Sequence, residues 1–365
     1  MLVGTVVGAR PQFIKAAVVS HAFKEAGVSE QLVHTGQHYD ADMSEVFFGE
    51  LGIPSPHVNL EVGSGSHAVQ TAAMMTGLET VWMRDRPDCV LVYGDTNSTV
   101  AAAMVASKLG IPLAHVEAGL RSFNRRMPEE INRIVTDRLS DWLFCPTQTA
   151  VDHLASEGMT HGVVLSGDVM LDATRFFAGR AAGHRPLDEV LESIQAADQT
   201  LRLPSSQLAS GSYYLATVHR AENTDDPDRL RGIFDALGSL GASVLLPLHP
   251  RTLGRIQDLD LSGYIHVLPP VSYLAMLTLI SESKGVLTDS GGLQKETVWL
   301  GKPCITLRDE TEWTETLERG WNRLVGASPK AILAAAAEKP AGRPPAFGEA
   351  PEGTASACIV RSLLA

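Results

Sequence analysis

Positive charge is what this chain is short of. Thirty Lys and Arg stand against 42 Asp and Glu among 365 residues, a formal net charge of −12. That balance excludes a general nucleic-acid binder, which needs a basic face. It leaves room for an anion site, because positive charge can be local. Cysteine is scarce too. Cys89, Cys145, Cys304 and Cys358 lie too far apart in sequence for a CxxC metal or redox pair. Their surroundings predict buried free thiols and a reducing compartment. No apolar run approaches the roughly 20 residues that span a bilayer. The first residues, MLVGTVVGARP, lack a basic n-region and are broken by Gly8, Arg10 and Pro11, so no signal peptide is read. A cytoplasmic protein without a membrane segment is expected.

Several motifs are missing as well. There is no GxxxxGK[ST] phosphate loop, no HExxH and no GxSxG elbow. The histidines are scattered, which predicts no metal. The stretch GSGSHA at 63–68 fits GxGxxA, but no convincing strand precedes it and no well-placed acid follows about 20 residues on. A nicotinamide cofactor is therefore not expected.

What the chain does have is alternation. LVGTVVG, QLVHTG, CVLVYGD, LAHVEAG, WLFCPT and VVLSG read as strands in the first half, and YYLATVH, SVLLPLH, IHVLPP, GVLTDS and CITLRD in the second. Runs such as CVLVY are apolar on both faces, as buried parallel strands are. Amphipathic segments such as FIKAAVVSHAFKEAG lie between them. This βαβα order implies parallel sheets covered by helices, an α/β fold. Two segments share one plan: VLVYGDTNSTVAAAMVASKLGIPLAHVEAG and GVLTDSGGLQKETVWLGKPCITLRDET. Each runs strand, Asp, small residues, helix, Leu-Gly-x-Pro, then a strand that ends in an acid, Glu117 or Asp309. Two Rossmann-like domains facing each other follow. Residues 1–168 form the first and 169–349 the second, with a hinge near Gly167 to Asp172 and a tail of about 350–365 packing back on the first domain.

The turn LTDSGGLQKE points to chemistry. In open α/β sheets ligands sit at the carboxyl ends of strands. A helix beginning at Ser290, Gly291 and Gly292 offers free N–H groups and about half a positive charge to an anion there. The alternative is a plain turn with Ser290 as N-cap. Glu296, one to two turns on, is placed to hold ribose hydroxyls or else is solvated. Cations stand at matching turns: Arg10 and Lys15, His219 and Arg220, His249 and Arg251. Together they suit a nucleoside diphosphate. Asp95 and Glu117 fall at strand ends. On the helix of RRMPEEINRIVTDRLSD, Glu129 is expected to pair with Arg133 and Arg133 with Asp137, as i,i+4 partners. Glu130, about 100° round the helix, would lack that pairing and face the cleft. Carboxylates gathered there would raise one another's pKa values.

GARPQFIK, TGQHYD, VYGDTNST, HVEAGLRS, MPEEINR, VHRAEN, LPLHPRT and TDSGGLQKE, in this order from residue 4 to about 326, together resemble the non-hydrolysing UDP-N-acetylglucosamine 2-epimerases. The resemblance implies a two-domain fold like the GT-B glycosyltransferases with the active site in the cleft, a homodimer, a UDP-sugar substrate and no cofactor. It implies that Arg10, Ser290, Gly291 and Gly292 hold the diphosphate and Glu296 the ribose. Lys15, Asp95, Glu117, Glu130 and His219 would line the reacting sugar, with His249 and Arg308 near the nucleotide. The activity implied is interconversion of UDP-GlcNAc and UDP-ManNAc through a 2-acetamidoglucal. Two features depart from the family pattern. Gln12 stands where many relatives have Glu. TGQHYDADMSEVFF differs from the form whose residues help bind a second UDP-sugar, so no allosteric site is expected. RDETEWTETLERGWNRLVG resembles a branch that also acts on UDP-2,3-diacetamido-glucuronate. A hydrolysing epimerase, a GT-B glycosyltransferase and a non-catalytic UDP-sugar binder are the other readings.

Overall fold

The computed structural model describes residues 1–37, 51–184, 186–198, 201, 203, 208–248, 250–256, 259, 261 and 263–365, with side chains 10, 182–184, 250 and 251 left out. Most of TGQHYDADMSEVFF, on which the expectation about a second UDP-sugar rests, lies outside the described residues. The chain divides into two units, Met1–Ala173 with Phe347–Ala365, and Thr174–Ala346.

The first unit is built on seven parallel strands: β1 (Leu2–Val7), β2 (Ser29–His34), β3 (Val58–Asn59), β4 (Cys89–Tyr93), β5 (Leu113–Val116), β6 (Trp142–Cys145) and β7 (Val163–Leu165). Their order in the sheet is β3-β2-β1-β4-β5-β6-β7. Every residue of β4 is buried, as expected of a strand covered by helices on both faces. Val6, Val33, Val90, Val92 and Leu113 meet Met74, Leu78 and Trp82 of the helix His67–Arg84 and the small residues Ala101 to Ala103 and Ala106 of the helix Asn97–Leu109. Alanines there let the helix lie close on the sheet. That helix ends at Gly110, whose φ of +62° makes it a left-handed cap.

The order reverses direction between β1 and β4. The chain after β1 turns to one face and the chain after β4 to the other, leaving a crevice at their carboxyl ends. Lys15 belongs to the helix after β1 and Asp95 to the turn after β4, so the topology brings these two together.

The C-terminal segment returns to this unit. The helix Ala355–Leu364 packs on the helix Arg10–Glu25. The Asp172 carboxylate accepts from the Ser356 N–H and hydroxyl, both at 2.8 Å. The Asp168 N–H donates to the Gly348 carbonyl at 2.8 Å.

The second unit repeats the plan with β8 (Tyr214–Thr217), β9 (Val244–Pro247), β10 (Ile265–Leu268), β11 (Gly285–Thr288), β12 (Cys304–Thr306) and β13 (Asn322–Leu324). All are parallel, in the order β10-β9-β8-β11-β12-β13. The reversal falls between β8 and β11, so His219 and Ser290 flank the corresponding crevice. Gly301, at φ +70°, follows the helix Gly291–Trp299. It repeats Gly110, so the Leu-Gly-x-Pro signal stops a helix in both units. β3 and β13, two and three residues long, were not legible in sequence. Runs this short carry no period. Cys89, Cys145 and Cys304 are buried free thiols and Cys358 is half-buried. Among the described residues no helix is long and apolar enough to cross a membrane.

Gly167 shows how tightly the returning segment fits. Its φ is +82°, and a Cβ there would lie 2.5 Å from the Ala350 nitrogen. Gly167→Ala is expected to lower stability by about 2 kcal/mol or more, measured by urea unfolding. An unchanged midpoint would show that the segment contributes nothing to the unit.

Candidate active site

In the first unit the two strand-end carboxylates are each matched by a cation. Lys15 forms an ion pair with Glu117, and both are buried. Arg133 forms an ion pair with Asp95, whose side chain keeps 33% of its exposure. The other Arg133 nitrogen, Nη1, donates to Glu130 at 2.7 Å. This corrects the expected pairing along the helix Pro128–Leu139. Arg133 joins Glu130 at i,i+3, not Glu129, because Glu130 and Arg133 are the pair turned inward and Glu129 is exposed. Arg133 does not join Asp137 either, since that carboxylate is taken by His115 and Arg121.

Glu130 is almost fully buried and fully engaged. Besides Arg133 it accepts from the Ser122 N–H and hydroxyl and the Phe123 N–H, each at 3.0 Å. Burial pushes its carboxyl up, but those hydrogen bonds and Arg133 outweigh burial and hold it below the ordinary range. The expectation of carboxylates raising one another's pKa is thus reversed at Glu130. Each acid found a positive partner before it found another acid.

Glu117 has φ +68°, a left-handed backbone that costs a non-glycine residue about 1 kcal/mol or more. The buried Asp137 carboxylate supports it from both sides. It meets His115 Nδ1 at 2.7 Å and accepts from the Gly119 N–H at 3.2 Å and from Arg121 Nη1 at 2.7 Å. The other His115 nitrogen faces the Gly94 carbonyl at 2.8 Å, next to Asp95. One buried acid therefore ties together the turns that carry Glu117 and Asp95. Gln12 has a similar task. Its carbonyl accepts from the Gly8 and Ala9 N–H groups, and its amide donates to the Tyr93 carbonyl, Thr96 and Thr99. The amide suits this position because it donates and accepts at once, whereas an ionised Glu only accepts.

In the second unit Asp289 plays the binding part. Fully buried at the end of β11, it accepts from the His219 N–H at 3.0 Å, the Arg220 N–H at 3.0 Å and the Asn223 amide at 3.2 Å. It also holds the His219 ring through Nδ1 at 3.0 Å, leaving that side chain half exposed. Burial raises the Asp289 carboxyl, but His219 and the backbone donors bring it below its ordinary range. Ser290 stands at the N-cap position, yet its hydroxyl caps nothing, so the plain-turn reading loses its main support. Gly292 has open space where a Cβ would be, while a Cβ on Gly291 would lie 2.5 Å from Glu312 Oε1. Glu296 is buried, not solvated, and accepts the Tyr273 hydroxyl at 2.7 Å. Thr174 adds a side-chain hydrogen bond to Tyr273. Arg308 is buried and donates to Glu312 at 3.0 Å. His249 lies outside the described residues, as do the side chains of Arg10 and Arg251.

Arg133, Asp137, His115, Asp289 and Glu312 were not picked out as functional residues. Two of them had a signal. Asp289 stands inside the quoted turn, at the strand end that binds the next loop. Arg133 lies three residues from Glu130. Among the described residues no group of three His, Cys, Asp or Glu is gathered as a metal site would need.

The chain is similar to known proteins along most of its length. A family model described as UDP-N-acetylglucosamine 2-epimerase matches residues 21–357. The chain is 50% identical over 343 residues to the UDP-2,3-diacetamido-2,3-dideoxy-D-glucuronate 2-epimerase of Pseudomonas aeruginosa, covering 92% of this chain and 91% of that protein. It is 39% identical over 349 residues to the UDP-N-acetylglucosamine 2-epimerase of Methanocaldococcus jannaschii, covering 92% and 91%. The solved structure of the Methanocaldococcus jannaschii UDP-GlcNAc 2-epimerase in complex with UDP-GlcNAc and UDP superposes with a TM-score of 0.86 at 37% identity, over 100% of this chain and 99% of that one. The Neisseria meningitidis UDP-GlcNAc 2-epimerase bound to UDP-GlcNAc gives 0.85 at 30% identity, over 100% of each chain.

The depressed carboxyls set a pH dependence. Asp137, Asp289 and Glu130 all have folded pKa values below their unfolded ones. Each therefore adds stability that is present above its unfolded value of about 4 and is lost as pH falls through the folded value. Unfolding free energy should drop steeply below about pH 4. Asp137→Asn should cost about 3 kcal/mol near neutrality and flatten that slope. Chemical denaturation from pH 3 to 7 measures both, and an unchanged slope would remove Asp137 from the account.

Proposed function

The chain belongs to the UDP-N-acetylglucosamine 2-epimerase family, and on that premise we propose that it inverts C2 of a UDP-2-acetamido sugar, interconverting UDP-GlcNAc and UDP-ManNAc without hydrolysis. The observation that carries the reading is the pair of switch-point clusters. One has two strand-end carboxylates held by cations, and the other has an Asp-supported histidine beside a bare helix start.

The C2 hydrogen of this sugar is not next to a carbonyl, so no enolate helps remove it. Elimination does. The C1–O bond breaks with its electron pair going to UDP, C2 loses a proton, and 2-acetamidoglucal forms. Re-addition of UDP at C1 with a proton delivered to the other face of C2 completes the inversion. The sequence is redox-neutral and consumes no water.

In this reading Ser290, Gly291, Gly292 and Arg10 receive the diphosphate, where a preorganised helix end stabilises the charge that develops on the leaving group. His219, oriented by Asp289, adds a donor to the same oxygens, and Glu296 takes the ribose. Asp95 and Glu117 exchange the C2 proton, one carboxylate for each face, with their roles reversed in the reverse reaction. Lys15 and Arg133 balance their charge. Glu130, being saturated with donors, is assigned to holding Arg133 and the Ser122–Phe123 turn. Arg308, paired with Glu312, stands near the nucleotide. We also assign a homodimer, supported by Val69 and Met83, which are 67% and 74% exposed on the helix His67–Arg84. The free thiols suit the cytoplasm.

A second reading, 2-epimerisation of UDP-2,3-diacetamido-2,3-dideoxy-glucuronate, is favoured by the 50% identity to the Pseudomonas aeruginosa enzyme. Incubating the protein in D2O with each UDP-sugar, followed by NMR of the products, tests both. Inverted UDP-sugar with deuterium at C2 is expected. The sugar turned over faster identifies the substrate, and release of free sugar with UDP would replace the proposal with a hydrolysing epimerase. Asp95→Asn and Glu117→Gln should each lower turnover by about 100-fold or more while UDP still binds by calorimetry. Either variant with near wild-type turnover loses its role.

A further inference from the structure

The Glu312 carboxylate is oddly placed. It lies against the start of the helix Gly291–Trp299, with Oε1 2.5 Å from where a Gly291 Cβ would be. Its Oε2 accepts from Arg308 Nη1 at 3.0 Å. A negative charge therefore occupies the neighbourhood of the bare helix end and holds a cation that an incoming anion would otherwise attract. Burial pushes the Glu312 carboxyl up, but Arg308, its own backbone and Arg220 outweigh burial and keep it below the ordinary range. It is charged at neutral pH.

Glu312 is also fixed where it stands. The Thr311 hydroxyl on one side donates to Gln294 at 2.7 Å. Trp313 on the other side packs under the ammonium of Lys295, 3.6 Å from the ring centroid, and Lys295 is 1% exposed. Gln294 and Lys295 belong to the same helix whose start Glu312 faces. Arg308 is itself 3% exposed, and its Nε is buried without a partner among the described residues. A loop anchored on both sides to the body of a helix does not carry an acid to the helix N-terminus by chance fluctuation.

We propose that Glu312 is a built-in counter-charge that weakens the grip of the Ser290–Gly292 turn on a diphosphate, a positioning residue that acts through Arg308 and the helix end. The inference rests on the reading of that turn as the diphosphate site. Its chemical sense follows from elimination. UDP must be stabilised as it leaves C1, yet held loosely enough to add back. A turn that bound free UDP as tightly as its bare cations allow would favour the dissociated pair over return. Glu312 sets that balance.

The prediction has an unusual sign. Removing a half-buried, bonded residue ordinarily weakens binding. Glu312→Gln keeps the shape and an acceptor for Arg308 but removes the charge, and it should tighten UDP about tenfold. Uridine, which has no phosphate, should bind both proteins alike. Glu310→Gln removes an exposed acid two residues away and should leave UDP affinity unchanged. Turnover of Glu312→Gln should fall while inhibition by added UDP grows. Calorimetry with UDP and uridine, together with a thermal melt of each variant, makes the comparison. UDP binding that is unchanged or weaker in a folded Glu312→Gln overturns the proposal. Tightening of uridine to the same degree also overturns it, because the effect would not act on phosphate. If Glu312→Gln melts early, Glu312→Asp decides. It keeps the charge but withdraws it from Gly291, so tightening of a few-fold is expected, and none counts against the proposal. Failure of the wild-type protein to bind UDP at all would instead bring down the underlying site reading, and the proposal with it.

Discussion

Much of the second unit's carboxyl rim hangs on one buried carboxylate, that of Asp289. At the point where strand order reverses, the loops after β8 and β11 turn to opposite faces of the sheet and have little reason to stay together. Asp289 ends one strand and accepts two backbone N–H groups, an amide and an imidazole from the loop after the other. A buried carboxylate needs such donors, because an uncompensated charge in the interior is prohibitively costly. The need runs both ways. The loop that carries His219 is set by the acid, and the acid stays charged because of the loop. The histidine reaches solvent with its remaining nitrogen already oriented.

The first unit solves the same problem with Asp137, placed on a helix instead of at a strand end. It collects His115, Gly119 and Arg121 around Glu117 and reaches Gly94 through the imidazole. The strain of a left-handed Glu117 is offset by this network. Around it the acids and cations alternate: Lys15 with Glu117, and Arg133 with Asp95 and Glu130. A chain with a net charge of −12 thus concentrates its cations where it needs them.

The layout of the fold was largely visible in the order of residues. Strands such as CVLVY announce themselves because burial on both faces leaves no polar position, and Gly110 and Gly301 announce helix ends because a left-handed backbone favours glycine. The repeated plan of the two halves followed from these signals. The strand-to-helix turn at Ser290 to Gly292 was legible as well, since two glycines after a strand-end Asp interrupt the apolar pattern. Less legible was which of two adjacent glutamates faces inward. Glu129 and Glu130 satisfy the same local spacing rules with different partners. The choice fell to the turn at Ser122 and Phe123, which supplies three hydrogen bonds to Glu130 and none to Glu129. Glu296 was read as a ribose ligand or a solvated surface acid, and Tyr273, 23 residues away, decided that it is buried.

The sequence alone determined the elements, their parallel pairing and the strand ends at which chemistry would gather, because these depend on periodicity, chirality and turn stereochemistry, which are local. The tertiary structure decided which charge meets which. Lys15 and Glu117 are 102 residues apart, and Arg133 and Asp95 are 38. Burial makes such encounters compulsory, since a charge removed from water must find its complement nearby, and proximity in the chain does not tell it where to look.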